Sequence, residues 1–246
     1  MYEGTTYYVG AVPIAGVSVQ ASVELILDAA HSRRTLATHL CNAFTVALAW
    51  EDSAFRDLLC RADVNLPDGS PVAWLGRRHG VRGPVRGATL VEAVIADSPP
   101  SVAHYFYGAH PGVAARMAKA LSERYPNLRV AGVEAPPFEP ITDESVLSLS
   151  RRVQTSGADV VWVGLGTPKQ DYLVDQLVRY VSRPIIPVGA AFNFLSGQVR
   201  PAPTLLHGSG LEWLYRFAQE PRRLWKRYTV GNIRFLRAVL SDRCPR

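Results

Sequence analysis

Two spacings of apolar residues alternate along the chain. Short runs bounded by turn residues read as strands: RTLATHLC (34–41), DVNL (63–66), SVAHYFYG (101–108), LRVAGV (128–133), DVVWVGLG (159–166) and RPIIPVG (183–189). Longer stretches with a helical period lie between them. AFTVALAWEDSAFRDLLCRA (43–62) reads as one helix with Leu48, Phe55, Leu58 and Leu59 on one side, and a further helix is expected near Ser70. HPGVAARMAKALSERYP (110–126) reads as a helix closed by Pro126, 143–156 as a helix stopped by Gly157, and TPKQDYLVDQLVRYV (167–181) as a helix starting near Pro168. DVVWVGLG is apolar on both faces, as a strand inside a parallel sheet must be. The alternation predicts an α/β fold with a mainly parallel sheet and helices on both faces.

The two ends depart from this rhythm. Residues 1–23 are nearly free of charge but are interrupted by Gly4, Gly10, Pro13 and Gly16 and lack a basic start. That predicts a short strand pair, and neither a signal peptide nor a membrane span. SGQVRPAPTLLHGSG (196–210) is the strongest candidate boundary, and beyond it the alternation stops. The reading is a catalytic domain over 1–199 and a basic helical appendage over 200–246.

Charge sharpens that division. Residues 1–199 hold 17 Lys+Arg against 18 Asp+Glu, whereas residues 200–246 hold 10 against 3. The whole basic excess therefore sits in the appendage, as in a neutral enzyme-like body carrying a handle for an anionic surface. Three cysteines without a CxxC pair read as reduced thiols, and six scattered histidines offer no metal-binding spacing, so no metal site is expected.

Chemistry is expected in the loops that leave the carboxyl ends of the strands. These are Asn42, PDGS (67–70), YGAHPG (107–112) and GLGTPKQ (164–170). Gly108, Gly112, Gly164 and Gly166 permit close approach of a phosphate to helix-start N–H groups, although α/β turns use glycine in any case. GLGTP does not match GxGxxG, and there is no GxxxxGK[ST], so neither a dinucleotide cofactor nor a P-loop is expected. Asp68 has two readings: a cap for the helix near Ser70, or a carboxylate positioned to take a proton from an incoming hydroxyl. No DxD triplet occurs, so a nucleotide diphosphate gripped through a DxD-bound metal is not supported.

NAFTVALAWEDSAFRDLLCRADVNLPDGSPVAW, GLGTPKQD and GLEWLYRFAQEPRRLWKRY together resemble, in order and spacing, the WecG/TagA/CpsF family of bacterial glycosyltransferases. The similarity runs from about Gly10 to Leu236, and EWLYR, EP and RLWKRY are its most specific part. The resemblance implies a Rossmann-like domain with a C-terminal appendage. It also implies inverting, metal-independent transfer of a hexose or N-acetylhexosamine-type sugar from a UDP-sugar to a polyprenyl-diphosphate-linked saccharide, peripherally on the cytoplasmic face of the membrane, with no cofactor. By the same resemblance Asp68 is the base on the acceptor hydroxyl, and Asn42 lies near the acceptor or donor sugar. The resemblance puts Gln170 at the nucleotide edge, where Gly108, Gly166 and Lys169 are also expected to bind, and implies that Arg216, Arg223 and Lys226 reach over the site to the diphosphate. Leu40, Pro84, Thr89, Asn193 and Pro201 depart from the family pattern and remove charges expected near the sugar pocket. A catalytically inactive membrane-bound scaffold is therefore the alternative reading.

The appendage also has a physical pattern of its own. On a helix starting at Pro221, Arg223, Lys226, Arg227, Arg234 and Arg237 share an arc of roughly 100°, opposite Leu224, Trp225, Tyr228, Phe235, Leu236 and Val239. Aromatics set opposite the arginines argue against a nucleic-acid partner. A helix docked on the body with a solvated basic face and a helix lying on an anionic membrane both remain, and homo-oligomerisation is open.

Overall fold

The computed structural model describes residues 4–137, 139–198 and 221–241, with side chains in the last segment described from Gly231 onward. The chain opens with β1 (Thr6–Val9), β2 (Val12–Ala15), α1 (Val19–His31), β3 (Leu36–Cys41), α2 (Ala43–Glu51), α3 (Ser53–Arg61), β4 (Val64–Pro67) and α4 (Ser70–Leu75). It continues through α5 (Gly87–Asp97), β5 (Ala103–Gly108), α6 (Val113–Arg124), β6 (Arg129–Glu134), α7 (Asp143–Ser156) and β7 (Val160–Gly164). Then come α8 (Lys169–Leu177), β8 (Pro184–Pro187), α9 (Ala191–Leu195) and α10 (Pro221–Leu240).

β1 and β2 form the expected antiparallel pair, turning at Gly10 with φ +60°. The other six strands make one parallel sheet in the order β4-β3-β8-β7-β5-β6. Side chains alternate across it, so each face buries its own apolar layer. Leu36, Leu40, Phe106, Trp162 and Ile186 meet α1, α5, α6 and α9 on one face. Ala37, Tyr105, Tyr107, Val161, Val163 and Ile185 meet α7 and α8 on the other. A third cluster joins β1 and β2 to α2, α3 and α4, and takes in Phe235 and Ala238 of α10. The fold is the predicted Rossmann-like α/β architecture with a C-terminal helix.

Local chemistry explains where the pattern reading differs. The single helix expected over 43–62 is two helices, because the Asp52 carboxylate accepts from Phe55 N–H at 3.1 Å and restarts the chain as an N-cap. α1, capped by Ser18, and α5 pack against each other on the sheet, although neither was marked by its apolar spacing. The stop at Gly157 is as expected, with φ +71° in the left-handed region.

α10 turns a different side to the body than its apolar arc suggests. Gly231, Phe235 and Ala238 are buried, while Ile233, Leu236 and Leu240 are exposed. Arg234 binds Glu51 of α2 at 2.7 Å, which rotates the buried stripe toward the arginines. Among the described residues no helix is long and apolar enough to cross a membrane. Arg216 lies outside the described residues, as do the side chains of Arg223 and Lys226.

Candidate active site

β3 and β4 pair in register as far as Cys41 and Pro67, so Asn42 and Asp68 leave the sheet side by side. Asn42 is the N-cap of α2: its Oδ1 accepts from the N–H groups of Phe44 (3.0 Å) and Thr45 (3.2 Å). That fixes the amide orientation and turns Nδ2 toward Asp68, which accepts through Oδ2 at 3.1 Å. The Asp68 N–H donates to the Cys41 carbonyl at 3.0 Å, tying the two loops together through the backbone as well. Asp68 is not a helix cap. Gly69, with φ +76°, occupies the N-cap position of α4, and no side chain caps that helix. The half-buried carboxylate is thus held at the sheet edge by an amide donor and has oxygen lone pairs left for a further partner.

The sheet reverses its winding between β5 and β7. The chain leaves β5 toward β6 and leaves β7 toward β8, so neighbouring loops diverge as at a topological switch point. The two loops touch there. A Cβ on Gly108 (φ +140°) would lie 2.6 Å from the Gly164 backbone, and Ala109 N–H donates to the Gly164 carbonyl at 2.8 Å. α6 starts behind Gly112 (φ +81°) and α8 behind Pro168, neither with a side-chain cap. Helix starts of this kind present N–H groups to an anion, whereas the start of α2 is already satisfied by Asn42.

Two buried polar residues in the first turn of α8 tie these loops together. Gln170 Oε1 accepts from Gly166 N–H and from Gly189 N–H, both at 3.0 Å, bridging the loops after β7 and β8. The Gly166 N–H is thereby engaged within the protein. Asp171 Oδ1 accepts from His39 Nδ1–H of β3 at 2.8 Å, with both side chains 1% exposed. Lys169 points elsewhere and donates through Nζ to the Glu139 carbonyl. Sequence reasoning passed over His39 and Asp171. A histidine in a strand and an aspartate after PKQ carry no local mark of their pairing 132 residues apart.

Of the departures noted in the sequence, Thr89 lies on α5 and Pro201 lies outside the described residues. Leu40 is core, and a Cβ on Gly87 would approach its Cδ1 at 3.3 Å. Asn193 sits on α9, just after β8. Val85 N–H donates to the Pro67 carbonyl at 2.7 Å, so the segment holding Pro84 passes directly beside Asp68. An open hollow of about 500 Å³ between β6 and α7 holds Glu134 and Arg152, but β6 is the far edge strand from Asp68.

A doubly wound parallel sheet with a carboxylate and two glycine loops at its carboxyl edge defines a Rossmann-like protein of the kind that binds its ligand across that edge. The comparison with known families makes the class specific. The Glycosyl transferase WecG/TagA/CpsF family matches residues 7–246, nearly the whole chain, and the chain belongs to that family. It is a glycosyltransferase, and the family points to cell-surface polysaccharide synthesis.

Proposed function

We propose that the protein transfers a hexose or N-acetylhexosamine-type sugar, with inversion and without a metal, from a UDP-sugar to a polyprenyl-diphosphate-linked saccharide. The acceptor hydroxyl attacks the anomeric carbon, the new glycosidic C–O bond forms, and the C–O bond to UDP breaks. Asp68 takes the hydroxyl proton. The diphosphate leaves with its charge met by helix-start N–H groups of α6 and α8 and by Arg216, Arg223 and Lys226. The enzyme works peripherally on the cytoplasmic face of an anionic membrane, where its lipid-linked acceptor resides.

The observation that carries this reading is the Asn42–Asp68 contact at 3.1 Å. It presents an oriented carboxylate at the same carboxyl edge of the sheet as the switch point between β7 and β5, with β3 and β8 between the two. Metal independence rests on the absence of a DxD triplet. The test is UDP release from a panel of UDP-sugars with a polyprenyl-diphosphate saccharide, followed by assignment of the new anomeric centre. Inverted product supports the reading. No release with any donor, together with no stabilisation by UDP, leaves the inactive scaffold instead.

A further inference from the structure

The segment that follows Asp68 carries a surface that the transfer chemistry does not use. α4 buries Val72 and Ala73 but leaves Trp74 45% and Leu75 44% exposed. A 3₁₀ turn, Arg77–His79, comes next, and Arg82 is exposed after the buried Val81. From Gly69 to Val91 the chain contains no acidic residue, and among the described residues no carboxylate pairs with Arg77, Arg78 or Arg82.

This is a built element. Tyr7 stacks on His79 with centroids 5.4 Å apart, and its hydroxyl donates to the Val72 carbonyl at 3.0 Å. Val81 N–H returns to the Gly76 carbonyl at 3.2 Å. Exposed tryptophan and leucine are therefore held rigidly beside unpaired arginines. Tryptophan favours the headgroup layer of a bilayer, and arginine favours phosphate. Leucine offers no face for base stacking, which sets this surface apart from a nucleic-acid platform.

We propose that α4 and the turn behind it form a lipid-docking wedge, separate from α10. Trp74 and Leu75 enter the headgroup layer of an anionic bilayer, and Arg77, Arg78 and Arg82 bind lipid phosphates. Six residues of helix span about 9 Å. Docking here sets Asp68 within reach of a diphosphate tethered at the membrane, and in this respect the wedge rests on the proposed function.

Full-length protein is titrated with vesicles of 30% phosphatidylglycerol in phosphatidylcholine, and with pure phosphatidylcholine. Arg77→Gln/Arg78→Gln/Arg82→Gln lowers partition into the anionic vesicles about 100-fold. Trp74→Ala/Leu75→Ala lowers it about tenfold. Tyr180→Ala removes an exposed aromatic at the opposite edge of the sheet and leaves partition unchanged. Brominated lipids quench the wild type by an increment that Trp74→Phe loses, a readout independent of the arginines. Partition within twofold of wild type in both multiple variants, with no Trp74-dependent quenching, overturns the wedge. So does tighter retention on single-stranded DNA that the same arginine substitutions abolish. Turnover on a short-chain, water-soluble acceptor separates the two ideas. The variants keep it if both hold, whereas lipid binding lost in a protein with no turnover sinks the proposed function and leaves the wedge standing.

Discussion

Asn42 donates from Nδ2 to Asp68 Oδ2 across 3.1 Å while its Oδ1 caps α2, so one amide fixes both a helix start and a carboxylate. Asparagine suits both tasks because it carries a donor and an acceptor on one planar group. Asn42→Asp separates them. Aspartate caps as well as asparagine, so the melting temperature stays within a few degrees. It also replaces the amide donor with a second acidic group against Asp68, so the carboxylate loses its orienting hydrogen bond and kcat/KM falls while the fold holds. Asp68→Asn lowers kcat by about 10²–10⁴-fold at every pH. Unchanged kcat/KM in Asn42→Asp, or near-normal turnover in Asp68→Asn, removes Asp68 from the mechanism.

Gln170 serves as a brace whose Oε1 holds two loops through Gly166 and Gly189. Gln170→Ala leaves two N–H groups without their acceptor, at roughly 1–3 kcal/mol each where they stay buried. In a chain of this size that is a melting temperature lower by about 4–24 °C. Gln170→Glu keeps the acceptor and stays closer to wild type. UDP affinity follows the same order, because one of the loops it holds, that after β7, borders the switch point between β7 and β5. Equal losses in the two variants, measured by thermal unfolding and UDP titration, argue for direct contact with the ligand instead.

The difference between what sequence shows and what it hides lies in range. The helix at 143–156 is legible because its start at Thr142 and stop at Gly157 are local chemistry. The break at Asp52 is also local, yet the apolar positions run across it, so periodicity reads through a cap that only hydrogen bonding reveals. Gly69 beside it takes the cap position that Asp68 was open to, and the amide that orients the Asp68 carboxylate comes from Asn42, 26 residues earlier in the chain. The face of α10 depends in the same way on Glu51, far away in α2.

His104 makes folding sensitive to acid. It lies wholly buried between Trp162, whose Nε1–H donates to its Nδ1 at 3.1 Å, and Ser98 Oγ, 3.2 Å from its Nε2. Nδ1 must therefore be the acceptor, and burial pushes the imidazole pKa from the usual 6.5 down to about 4. The unfolded chain binds this proton more readily. The stabilisation is fully present above pH 6.5 and is lost as pH falls through 4, at about 1.4 kcal/mol per unit and roughly 3 kcal/mol in all. His104→Leu is less stable than wild type at pH 7, and that gap narrows by about this amount at pH 4. A gap that stays constant between pH 7 and pH 4 in urea titrations contradicts the assignment.

His39 and Asp171 connect the two halves of the site. β3 leads into Asn42, three residues after His39, and α8 carries Gln170 immediately before Asp171, so their 2.8 Å bond couples the Asn42 loop to the brace. The pair is deeply placed, and Asp171 Oδ2 finds no partner among the described residues. Removing one member strands the other in a medium of low polarity, typically a loss of about 3–5 kcal/mol. Asp171→Leu and His39→Leu each lower the melting temperature by about 6–20 °C. Replacing both removes the stranded group as well, so the double variant melts well above the sum of the single losses. Its turnover nevertheless stays low, because apolar packing restores the fold without the directional tie between β3 and α8. The cycle is read by calorimetry beside single-turnover kinetics. Strict additivity of the melting losses rules out the coupling, and full turnover in the double variant denies the pair its positioning role.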